Sequence, residues 1–148
     1  MKLSFLTRTA AAGLLLCATA HADEAAIGYI KTITDDAFLI ENGKTEKASL
    51  GSAVHIGTMV KTNANGTAGI TLKDNTMLSI GSDTELTLEA YQFAPEQDKL
   101  QLGANLLKGT LQYISGVIAK LKPEAVNLKT PTGVIAVRGT RFLVKIED

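Results

Sequence analysis

The chain has 148 residues, 15 basic and 15 acidic side chains, 45% apolar residues, one cysteine and two histidines. That length accommodates one domain. One cysteine excludes a disulfide framework, no His/Asp/Glu cluster has metal-ligand spacing, and no basic run is dense enough to indicate nucleic acid.

Residues 1–22 read as a secretory signal peptide. Lys2 and Arg8 form a basic start, Ala10 to Ala18 is a short apolar run, and Ala20-His21-Ala22 is a small-x-small cleavage site. The apolar run is too short for a membrane span, which needs about 20 residues. Leu16 before Cys17 does not suit lipid attachment. The expected mature domain is therefore residues 23–148, free of cysteine, in the periplasm or outside the cell.

The mature sequence reads as strands separated by turns. Ala25 to Thr34 is a first strand, and Asp35-Asp36 a turn. Phe38 to Glu41 and Lys44 to Ala48 flank Asn42-Gly43, the strongest short hairpin signal. Asn65-Gly66 predicts a second hairpin and Asp74-Asn75 a third turn. Along 85–93, Leu86, Leu88 and Ala90 alternate with Glu85, Thr87, Glu89, Tyr91 and Phe93, which predicts that Tyr91 and Phe93 sit on the outward face. Exposed aromatics two residues apart suit a sugar or protein contact; the alternative is a satellite cluster folded over a strand end. Residues 93–98 form a loop. Leu106 to Leu121 is ambiguous, with Leu107, Leu111, Ile114, Ile118 and Leu121 at helical spacing. Gly109 and Gly116 weaken a helix by about 1 kcal/mol each. The reading is a strand over 108–114 and a short helical turn after Ser115.

The stretch from Thr130 to Ile146 organises the rest. Pro131 fixes its own φ and keeps Thr130 extended. Val134 to Val137 is a strand-forming run, and from Phe142 onward residues alternate in a half-buried strand pattern. Between them Arg138-Gly139-Thr140 breaks the run. Gly139 supplies a backbone conformation or close approach that a Cβ forbids. Arg138 is a long cation beside a core. It either faces a ligand or pairs with a carboxylate such as Asp83.

Strands and turns recurring every 8–12 residues indicate an all-β domain. The motifs resemble the FecR domain: Leu50-Gly51 through Gly57 to Thr62, Thr67 to Ile80, then Gly109, Tyr113-Ile114-Ser115-Gly116, Pro123-Glu124, Thr130-Pro131 and Arg138-Gly139-Thr140. The resemblance spans roughly residues 27–146. Asn75 and Ala136 depart from the family pattern but keep turn-tolerant or small side chains. The resemblance implies a single twisted, β-solenoid-like or β-roll domain of short strands, with at most one short helical turn. FecR regulators also carry a cytoplasmic anti-sigma segment, a membrane helix and a receptor-contacting subdomain. None is read here, so the resemblance implies the domain set free in the periplasm, without the sigma-factor mechanism. Thr130, Pro131, Arg138, Gly139 and Thr140 are then its structural motif.

Charge is uneven along the chain. Residues 23–98 carry 5 basic and 12 acidic side chains, and residues 99–148 carry 8 and 3. Either the halves pair charges across strands or the basic half meets an anionic partner. No nucleophile elbow, tuned dyad or phosphate-binding loop is legible, and His55 stands alone in the mature chain. The expectation is a module without catalysis, cofactor or metal. It works by sensing or protein interaction in envelope signalling, or alternatively by binding cell-wall or surface glycan, with Tyr91, Phe93 and Arg138 as candidate contacts.

Overall fold

The computed structural model describes residues 24–147; the signal-peptide reading lies outside them. The strands are β1 (Gly28–Thr34), β2 (Ala37–Glu41), β3 (Lys44–Lys47), β4 (Ala53–Val54), β5 (Met59–Thr62), β6 (Thr67–Leu72), β7 (Met77–Ile80), β8 (Glu85–Ala94) and β9 (Lys99–Ile114). A short helix, α1 (Val117–Leu121), follows, then β10 (Val126–Thr130), β11 (Gly133–Ala136) and β12 (Arg141–Ile146). The all-β expectation and the helical turn after Ser115 both hold.

The strands pair in the order β3-β2-β5-β8-β9-β7-β6-β1-β4, with β10 and β12 also on β9 and β11 on β10. The sheet curls into a half-barrel. All pairings are antiparallel except β9 with β10. The strands form hairpins and crossings of one curled sheet, and the expected solenoid-like or β-roll description is not confirmed. Asn42-Gly43 closes the β2–β3 hairpin with both residues at positive φ, as that turn demands. Asn75, at φ 67, turns β6 into β7. Asn65-Gly66 does not close a hairpin: β5 pairs with β2 and β8, whereas β6 pairs with β1 and β7. The turn carries the chain from one part of the sheet to the other.

β9 is the spine. Its first part pairs with β8 and its last part with β7 and β12. Inward residues are Leu102, Ala104 and Leu106, then Leu111 and Tyr113. The phase changes because Leu107 is an extra residue in the register and Gly109 has φ 89. A Cβ on Gly109 would lie 2.6 Å from Thr84 Cα. This change of phase, superimposed on a strand, is what imitates helical spacing in the sequence, and the strand is longer than the 108–114 expected.

A second bulge moves Tyr91. Leu88 opposes Ala104 and Ala90 opposes Gly103, leaving Glu89 unpaired in the ladder. Tyr91 consequently turns inward and is buried at 8% exposure. Phe93 is half-buried and packs on the core. The expected exposed aromatic pair is corrected: strict alternation fails at the bulge. The core joins both parts of the sheet through Ile30, Leu72, Leu78, Leu86, Leu88, Leu106 and Leu111, and α1 adds the fully buried Ile118. Complete burial of side chains of this size contributes about 1.5–3 kcal/mol each.

Candidate functional site

A buried carboxylate fixes one end of the half-barrel. Asp74 lies in the β6–β7 turn and is fully buried. Its Oδ2 accepts hydrogen bonds from Thr76 Oγ1 (2.7 Å) and the Ile118 N–H (3.1 Å). Its Oδ1 accepts from the Tyr91 hydroxyl (3.0 Å) and more weakly from the Thr76 N–H (3.4 Å). The Asp74 carbonyl accepts from the Val117 N–H at 2.8 Å. These bonds satisfy N–H groups at the start of α1 that have no partner within the helix. Burial, then the adjacent Asp74 charge, push Tyr91 well above the usual phenol range.

The same corner holds the Arg-Gly-Thr motif. At the end of β9 the Ser115 N–H donates to the Thr140 carbonyl (2.9 Å), and Ser115 Oγ donates to the Gly139 carbonyl (2.8 Å). Tyr113, two residues back, stacks on Phe142 of β12 with ring centroids 4.7 Å apart. Its buried hydroxyl has no hydrogen-bond partner among the described residues. Burial raises its pKa. Thr130 Oγ1 donates to the Gly133 carbonyl at 2.9 Å, tying the Pro131-Thr132 turn between β10 and β11.

Gly139 adopts φ 101, and the space where a Cβ would stand is open. Of the two reasons considered for glycine here, conformation is the one that applies. Arg138 is exposed and forms no ion pair among the described residues. The expected pairing with Asp83 is absent: Val137 is the buried residue of this segment, and Arg138 lies in the extended, outward stretch after it. Arg138 lines a groove of about 500 Å³ with Pro123, Glu124, Val126, Asn127, Ala136, Val137 and Gly139.

A second groove, of about 540 Å³, was not legible from the sequence. Leu39, Glu41, Asn42, Lys44, Glu46, Ser52, Ala53 and His55 line it. His55 Nδ1 lies 2.9 Å from Glu41 Oε1, which also accepts from the buried Thr58 hydroxyl. Partial burial opposes ionisation of Glu41, but the hydrogen bonds from Thr58 and His55, with the attraction of His55, outweigh it and hold the carboxyl below its ordinary value. Residues 41, 55 and 58 come together only because β2 pairs with β5. Spacing along the chain carries no sign of it.

Of the ion pairs, Lys129–Glu89 (3.1 Å) joins the basic and acidic halves, whereas Lys47–Asp36, Lys61–Glu85 and Lys145–Glu147 lie within one half. Among the described residues no group of three His, Cys, Asp or Glu is placed to hold a metal ion. No described helix is long and apolar enough to cross a membrane.

The model of the family described as FecR protein matches residues 58–148, which include Asp74, Tyr91, Ser115 and the Arg-Gly-Thr motif. No curated protein and no solved structure matches the chain. FecR proteins are a regulatory, signalling family associated with the cell envelope. The matched span exceeds half of the sequence and contains the whole corner described above, so the chain belongs to the FecR protein family.

Proposed function

We propose that the chain is an exported, non-catalytic interaction module of envelope signalling, which receives a protein partner at the groove containing Arg138. Export follows from the leader expected to be cut after Ala22. The observation that carries the contact is Arg138 itself, an exposed guanidinium with no carboxylate partner among the described residues, beside a groove with apolar walls at Val126 and Val137. Arginine beside apolar surface is enriched at protein interfaces. The segment that presents it is held by Ser115, and the Asp74 network holds the next turn. A loop positioned on a rigid scaffold is where binding residues concentrate. Photocrosslinking in cells from position 127, on the groove wall, tests this. An adduct with an envelope protein supports it, and an adduct confined to peptidoglycan contradicts it.

A glycan-binding reading is favoured by the other groove. Glu41, Asn42, Lys44, Glu46, Ser52 and His55 offer donors and acceptors of the kind sugar hydroxyls need. Retention of the purified protein on peptidoglycan or lipopolysaccharide, lost in Glu41→Ala, supports this second reading; no retention eliminates it.

A further inference from the structure

We infer that β12 is a docking edge for an extended partner strand in which acidic and apolar residues alternate. One edge of β12 pairs with β9, and among the described residues no strand pairs with the other. Its core-facing row, Phe142, Val144 and Ile146, packs on the core yet stays only half-buried. An added strand completes that burial and takes up the free backbone groups, as in recognition by strand addition.

Charge selects the occupant. The outward row of β12 is Arg141, Leu143 and Lys145, and Leu143 is 68% exposed. β1, β4, β6, β7, residues 109–114 of β9 and β12 together form the half of the sheet behind this edge. None of them contains an Asp or Glu. Glu147, just past β12, reaches Lys145 at 3.6 Å, but both side chains are exposed and the pair is weak. A second copy of β12 in antiparallel register would set Arg141 against Lys145, and like charges directly opposite are destabilising. A strand with carboxylates opposite Arg141 and Lys145, and apolar residues opposite Phe142, Val144 and Ile146, satisfies both rows. Another edge strand, β3, carries Lys44, Glu46 and Lys47 and offers no such match.

This inference rests on the interaction role proposed above but uses a different surface. The probe is a ten-residue peptide alternating Glu and Val, followed by fluorescence anisotropy. The peptide is expected to bind. A version with Lys for Glu, and a version N-methylated at alternate amides, are each expected to bind at least tenfold more weakly. The Arg141→Glu/Lys145→Glu double variant should prefer the Lys peptide. If the double variant loses its circular dichroism signal, Leu143→Asp, at an exposed position, is expected to weaken the Glu peptide tenfold instead. Equal binding of the Glu and Lys peptides, no binding, indifference to N-methylation, or binding of polygalacturonate in place of the peptide overturns the inference. Peptide failure alongside a protein adduct at the Arg138 groove removes the edge and leaves the interaction role standing.

Discussion

Tyr91 and Asp74 are joined by two hydrogen bonds: the Tyr91 hydroxyl donates to Asp74 Oδ1 at 3.0 Å and accepts from the Asp74 N–H at 2.9 Å. Tyr91→Phe leaves one buried donor and one acceptor without this partner, at an expected cost of about 1–3 kcal/mol. Asp74→Ala should cost more, because Thr76, Tyr91 and the Ile118 N–H all lose their acceptor. Urea melts rank the two variants, and an Asp74→Ala midpoint above that of Tyr91→Phe contradicts the network.

Alkaline stability follows from the same pair. Burial and the Asp74 charge raise Tyr91, and burial raises Tyr113, above the ordinary phenol value of 10.0. A folded pKa above the unfolded one gives stability that is fully present below about pH 10 and is lost as pH rises through the folded values. Tyrosinate absorbance of Tyr91 and Tyr113 should therefore appear together with unfolding. Titration of both near pH 10 in a folded protein would falsify their burial.

Acid sensitivity has a separate origin at Glu41. Its folded pKa lies below the ordinary 4.5, so its contribution is present above the unfolded value and is lost as pH falls through the folded one. Thr58→Val removes this donor and also the acceptor of the His55 N–H (2.9 Å), and is expected to cost about 1–3 kcal/mol at pH 7, toward the lower end because Glu41 is 38% exposed. At pH 3 the difference from the unsubstituted protein should shrink. A cost that is the same at both pH values argues against the hydrogen bond to the ionised form.

Two glycines separate conformation from crowding. Gly139→Ala meets positive φ in open space and should cost about 1–3 kcal/mol. Gly109→Ala meets positive φ together with Thr84 within van der Waals distance, so its melting temperature should fall further. The reverse order in thermal melts sinks the bulge account of β9.

Much of the fold was legible because local signals carry their own geometry. Asn42-Gly43 specifies its turn wherever it stands, and the Arg-Gly-Thr motif carried the family. Asn65-Gly66 misled because a turn sequence does not say which part of a sheet receives the next strand. Tyr91 misled because one unpaired residue, Glu89, reverses every side chain after it. Asp74 read only as part of a turn, since its partners on β8 and α1 are 17 and 44 positions away. The Glu41–His55–Thr58 cluster was invisible for the same reason, being assembled by the pairing of β2 with β5.

The sequence left Arg138 either paired with a carboxylate such as Asp83 or facing a ligand, and the structure leaves it exposed beside a groove. The most direct measurement of the proposed role compares Arg138→Ala with the unsubstituted protein twice, by urea melt and by in-cell photocrosslinking from position 127. The account predicts urea midpoints equal within about 0.5 kcal/mol, as for surface substitutions, and loss of the envelope-protein adduct. A destabilised Arg138→Ala, or an adduct that persists at full strength, contradicts it.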